Sequence, residues 1–205
     1  GVQTCALPIY SGRDLYSDGP VEEELLEIAK SCHTPEEYNQ VIAERKSWPV
    51  MYHFSHIRGN IVSWLPITKE DKVLEIGAGC GAITGALAKK AGSVTCVELS
   101  RQRSLVNAYR NEDCDNVTIL LGAFEEVEKT LAEKYDYITF IGVFEYAACY
   151  TDNENPFSYM LQLVERHLAP GGKIIIAIEN RLGLKYWAGC AEDHVGRFFE
   201  GLEGY

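Results

Sequence analysis

The chain has 205 residues, 46% of them hydrophobic and 24% charged, and its 19 Lys and Arg against 30 Asp and Glu give a net charge of −11. That length and composition suit one soluble globular domain with a sizeable core, or one domain plus an extension. An acidic surface repels phosphate backbones, so nucleic acid is not the expected partner, and no apolar run reaches the roughly 18 residues that a membrane span needs.

No charged N-terminal region precedes a short apolar stretch, so no signal peptide is read. The seven cysteines, Cys5, Cys32, Cys80, Cys96, Cys114, Cys149 and Cys190, form no CxxC pair and no zinc-like spacing. Free thiols in a reducing cytoplasm are the simplest expectation, and no metal is assigned. In that setting the sequon at Asn116 carries no meaning. Residues 1–9 resemble the conceptual translation of a sequencing adapter. They are set aside as an artefactual leader, expected to pack poorly on the domain.

Residues 10–66 read as an N-terminal helical extension. A turn-rich stretch over 10–20 leads into a helix over 21–30. Thr34, Pro35 and Glu37 have the spacing of a capping box with proline at the first helical position, so a second helix is expected from there to about Arg45. A third is expected over about 50–63, where His53 and His56 would share one face. Two histidines hold no metal without a further ligand. Trp48, Trp64 and Trp187 are expected to be packing residues.

From residue 67 the pattern changes. Short apolar runs at 72–76, 93–98, 117–121, 137–141 and 173–178 alternate with amphipathic segments at about 80–91, 101–112, 124–133 and 157–168. Five strands alternating with four helices predict an α/β fold, a doubly wound, mostly parallel sheet.

The first strand, Val73-Leu74-Glu75-Ile76, runs into Gly77-Ala78-Gly79-Cys80-Gly81 and then a helix. Glycines let a backbone take positive φ and approach a ligand closely, and the helix start presents free amides. Glu98 ends the next strand about twenty residues on, where an acid can accept both ribose hydroxyls of an adenosine ligand. Its bland alternative is a solvated carboxylate at a strand end. Gly77, Gly79 and Ala82 also satisfy the relaxed dinucleotide pattern, so a nicotinamide-dependent oxidoreductase is a second reading. A non-catalytic module of the same fold is a third.

Glu75-x-Gly77-x-Gly79-x-Gly81, Glu98 and the turn Leu168-Ala169-Pro170-Gly171-Gly172 resemble, in that order, three motifs of class I S-adenosylmethionine-dependent methyltransferases. Within that group the chain is similar to bacterial domains associated with glycosyltransferases and surface-polysaccharide enzymes. The resemblance implies a Rossmann-like fold and S-adenosylmethionine as cofactor, held by Glu75, Gly77, Ala78, Gly79, Gly81, Glu98, Leu99, Ala123, Phe124, Gly142 and Val143. The loop at Gly122-Ala123-Phe124 lacks the acid that commonly meets the adenine amine, leaving the Phe124 amide and ring for that contact. An Asn-Pro-Pro-Tyr motif is absent after the fourth strand, which weighs against planar amide or nucleobase acceptors. A small-molecule or saccharide acceptor is the expected partner. Glu145 and His194, the latter beside Asp193, are the candidate bases, and Tyr52 and Arg58 are candidates for the methionine carboxylate. The resemblance also implies seven strands, the last two antiparallel. Only five are read, so the domain over 67–205 is expected to be cut short at its C-terminus and to be part of a larger multidomain chain.

Overall fold

A computed structural model describes residues 1–6, 19–151, 153–180, 182–192 and 196–199. Each of the five expected strands forms: β2 (Lys72–Ile76), β3 (Ser93–Glu98), β4 (Val117–Leu121), β5 (Tyr135–Ile141) and β6 (Leu168–Ala177). A short strand, β1 (Gln3–Ala6), precedes them. The sheet is six-stranded in the order β1-β4-β3-β2-β5-β6, and every pairing is parallel. Residues 3–6 therefore depart from the expected poor packing: they extend the sheet, with Gln3 opposite Thr118 and Ala6 opposite Leu121. Among the described residues β6 has no strand on its outer side, and Ile176 and Ile178 are exposed there. The Leu168-to-Gly172 turn lies inside β6, where the register jumps from the Tyr135–Leu168 pair to the Tyr137–Lys173 pair.

Both sheet faces are buried, as continuous apolar strands require. Val73, Val94, Cys96, Val117 and Ile119 pack with Leu87 and Ala88 of helix α5 (Thr84–Lys90). Leu74, Ile76, Val97, Ile138 and Phe140 pack on the opposite face with Met160, Leu163 and Val164 of helix α9 (Pro156–Glu165).

The N-terminal helices are α1 (Val21–Ser31), α2 (Pro35–Arg45), α3 (Trp48–Phe54) and the single turn α4 (Asn60–Ser63). Leu25, Ile28 and Ala29 of α1 cluster with Tyr38, Val50 and Phe54, and with Val106 of helix α6 (Arg101–Arg110). The capping box of α2 forms as read: Glu37 N–H donates to Thr34 Oγ1 at 3.3 Å, and Thr34 N–H donates to Glu37 Oε2 at 2.9 Å. The expected third helix over 50–63 is instead broken at Ser55, whose backbone is extended (φ −60°, ψ 125°), and a 3₁₀ turn, His56–Gly59, follows. His53 and His56 consequently do not share a face; His53 is buried, and His56 is exposed beside Asn39. Trp48, Trp64 and Trp187 are 68%, 71% and 62% exposed, so the packing expected of them is not in the core. The remaining helical turns are α7 (Phe124–Val127), α8 (Ala147–Tyr150) and α10 (Leu184–Trp187). No helix of the described residues is long and apolar enough to cross a membrane.

Candidate functional site

A cleft of about 1010 Å³ opens at the carboxyl ends of β2, β3, β4 and β5, the place where open α/β sheets bind ligands. Its floor is the turn between β2 and α5. Gly77, Gly79 and Gly81 all have positive φ, at 71°, 53° and 75°. The three serve different needs. A Cβ on Gly77 would stand 2.4 Å from Val143 Cγ2, and one on Gly81 would stand 2.3 Å from Asn107 Oδ1. A Cβ on Gly79 meets nothing within 4 Å, because it points into the open cleft. Of the loop residues expected to hold a cofactor, Gly77, Ala78 and Gly79 line the cleft and Gly81 does not. Gly81 is where the loop touches α6.

Glu98 lines the same cleft and is only 6% exposed, which removes the solvated reading. Its Oε2 accepts from the Gly79 N–H at 2.7 Å and its Oε1 from the Ser100 N–H at 2.9 Å. Burial raises its pKa, while those two N–H groups and the charge of Arg103 pull the other way. Arg103, which the sequence reading missed, also lines the cleft and is anchored by Glu22 of α1 at 2.9 Å.

Glu75 is a buried acid at the floor of the cleft. Its Oε2 accepts from Thr84 Oγ1 at 2.6 Å and from Cys96 Sγ at 3.3 Å. Asn107 Nδ2 donates to Thr84 Oγ1 at 3.1 Å, Asn111 Nδ2 donates to Asn107 Oδ1 at 2.8 Å, and the same amide reaches the Gly81 carbonyl at 3.3 Å. A buried chain of polar groups thus ties α6 to the glycine turn. Burial pushes the Glu75 carboxyl up to about 7, opposed by the Thr84 and Cys96 hydrogen bonds and reinforced by the neighbouring Glu98 charge. A carboxyl raised on folding binds its proton more tightly in the folded state. Its contribution is present below the ordinary carboxylate pKa and is lost as pH rises to about 7. Urea unfolding from pH 4.5 to 7.5 should show a shallower loss of stability in Glu75→Gln than in the wild type. Parallel profiles would contradict this account of Glu75.

Leu99, Ala123, Phe124, Gly142 and Val143 also line the cleft, as expected. Phe124 is 8% exposed and packs into the core beside Val97. Glu125, one residue further on, lines the cleft too, so an acid does stand at this rim, one position past the place searched. Glu145 falls differently from its expected place at the cleft mouth. It sits in the 3₁₀ turn Phe144–Tyr146 and is not among the cleft-lining residues, whereas Phe144, Tyr146 and Ala147 are. With three residues per turn, Phe144 and Ala147 share one face and Glu145 is carried off it. His194 and Asp193 lie outside the described residues. From the N-terminal side, Trp48, Tyr52, His53 and Arg58 complete the wall.

Residues 74–174 match the family model of a methyltransferase domain. Ribosomal RNA small subunit methyltransferase A of Leuconostoc mesenteroides is 37% identical over 78 residues, which are 37% of this chain and 26% of that protein. The protein of the same name from Borreliella burgdorferi is 32% identical over 98 residues, 47% of this chain and 35% of its own length. The matches thus span about a third or less of these relatives. The solved structure of Haemonchus contortus phosphoethanolamine N-methyltransferase 1, in complex with phosphoethanolamine and S-adenosylhomocysteine, superposes with a TM-score of 0.53 at 20% identity, covering 82% of this chain and 36% of that one. Likeness at that identity is likeness of fold. The match runs through the glycine turn from β2 into β6, so this stretch is matched as a methyltransferase domain, in the Rossmann-like fold of an enzyme solved with S-adenosylhomocysteine. The ribosomal RNA relatives sit poorly with the expectation that nucleic acid is no partner.

Proposed function

We propose that this chain transfers the methyl group of S-adenosylmethionine to a small-molecule or saccharide acceptor. The observation that carries the reading is the buried Glu98 carboxylate, held against the Gly79 amide at the edge of the cleft. Bound S-adenosylmethionine would supply an electrophilic methyl on a sulfonium, ready for in-line displacement. The protein's task is then mainly alignment. In this reading Glu98 accepts the ribose hydroxyls, Gly79 leaves room for the ligand, Glu75 and Gly77 bound its amino-acid end, and Phe124 with Ala123 flanks the base. Leu99, Gly142 and Val143 close the pocket, and Gly81 acts through α6. The cleft volume supports room for an acceptor beside the cofactor, being at the upper end of the usual range of roughly 300–1,000 Å³ for ligand pockets. Glu145, off the cleft wall, is a poorer candidate for a base than the sequence suggests, and a base is needed only where the acceptor loses a proton during attack.

The ribosomal RNA relatives favour a second reading, methylation of RNA. The matched stretches amount to 78 and 98 residues, and the net charge of −11 opposes an RNA footprint. Incubation with tritiated S-adenosylmethionine separates the two. Label should pass to an extract of small metabolites or oligosaccharides and not to ribosomal RNA; label in the RNA alone would reverse the assignment.

A further inference from the structure

Arg58, a candidate for the methionine carboxylate from sequence, is given no role by this reading although it lines the cleft. Arg58 stands in the 3₁₀ turn His56–Gly59, half-buried, and lines the cleft. Its guanidinium lies 3.9 Å from the centroid of the Tyr52 ring, and one Nη donates to the Tyr52 carbonyl at 3.3 Å. The head group is thereby held against the wall, with one of its five N–H donors used among the described residues. Among the described residues no carboxylate lies within 4.0 Å of it. Its charged neighbour is another cation. Arg110 is buried behind α3, where it donates to the His53 and Phe54 carbonyls, and the charge of Arg58 adds to the burial that lowers its pKa to about 10. Lys185 of α10 lines the same cleft.

The cleft wall also carries Glu75, Glu98, Glu125 and Glu179, and Arg58, with no carboxylate within 4.0 Å among the described residues and a second guanidinium nearby, is a cation that a ligand anion would complete. Arg58 and Lys185 both lie outside residues 74–174, whereas the residues to which the proposed function gives a cofactor contact all lie inside that stretch. A methyltransferase domain shared among proteins with different acceptors leaves acceptor preference to the residues around it. The geometry points to an acceptor that carries a carboxylate or phosphate, bound by Arg58 on its Tyr52 plate. This rests on the methyl-donor reading of the cleft.

The test uses the full chain saturated with S-adenosylhomocysteine and inorganic phosphate as the probe, titrated by thermal shift at matched ionic strength. Phosphate should stabilise the wild type saturably, and Arg58→Gln should raise the half-saturating concentration about tenfold or more, the loss of one charge-assisted hydrogen-bonding partner. Arg58→Lys should keep part of the response. The melting temperature of Arg58→Gln without phosphate, and its affinity for S-adenosylhomocysteine, should match the wild type. Equal phosphate responses in wild type and Arg58→Gln, or no response in either, would overturn the inference. So would a variant that loses S-adenosylhomocysteine but keeps 5′-methylthioadenosine, for then Arg58 holds the carboxylate of the donor. A wild type that binds no S-adenosylhomocysteine at all would instead sink the methyl-donor reading beneath it.

Discussion

Glu98→Gln is expected to weaken S-adenosylhomocysteine binding by more than about tenfold, because hydrogen bonds to a charged acceptor are each worth about 1.5–3 kcal/mol. The carboxylate has two oxygens, and each already accepts a backbone N–H, from Gly79 and from Ser100. A glutamine keeps one oxygen and turns an amide donor toward the other N–H. One buried donor pair then faces donor to donor, and the glycine turn loses its tie to β3. The variant should therefore bind poorly and also melt earlier, because an unsatisfied buried donor costs about 1–3 kcal/mol. Calorimetry for affinity and a melting curve for stability read the two effects separately. Unchanged affinity in a folded Glu98→Gln protein would remove the ribose assignment.

A second large effect separates two glycines of one motif. Gly81→Ala places a methyl 2.3 Å from Asn107 Oδ1 and 2.6 Å from Asn111 Nδ2 at a φ of 75°. Relief requires moving Asn107 and Asn111, which carry the buried hydrogen bonds to Thr84 and to the Gly81 carbonyl. A loss of about 2–4 kcal/mol is expected, from the left-handed φ plus the broken buried bonds. Gly79→Ala meets no atom, so its cost is the left-handed φ alone, about 1–2 kcal/mol. Its methyl enters the cleft, so ligand affinity should fall much further than stability. Urea unfolding and titration with S-adenosylhomocysteine should place Gly81→Ala as mainly a folding defect and Gly79→Ala as mainly a binding defect. The reverse order would show that the cleft is misplaced.

The contrast between these glycines shows what was legible beforehand. Buried parallel strands write themselves as short apolar runs, and all five between residues 72 and 178 were found that way. The glycine turn and Glu98 follow from chain order along one sheet edge. Features made by contacts distant in sequence were not legible. The break at Ser55 goes with Arg110, more than fifty residues away, taking the carbonyls of His53 and Phe54; local periodicity carries no trace of that. Arg103 is held at the cleft by Glu22, again across the fold. Gly81 reads as a ligand-facing glycine from its spacing, yet its missing side chain makes room for Asn107. Glu125 was missed by one position, since the helical turn beginning at Phe124 brings the following residue to the rim as well. The β1 strand lay in residues set aside on a resemblance, which says nothing of whether four residues can pair with an open edge.

The central claim is that the cleft over Gly79 and Glu98 is built for S-adenosylmethionine. Isothermal calorimetry of the full chain with S-adenosylhomocysteine and, separately, with NAD tests it most directly. Saturable one-site binding of S-adenosylhomocysteine that Glu98→Gln weakens is expected, with no heat of binding from NAD. Tight NAD binding, or no binding of S-adenosylhomocysteine, would contradict it.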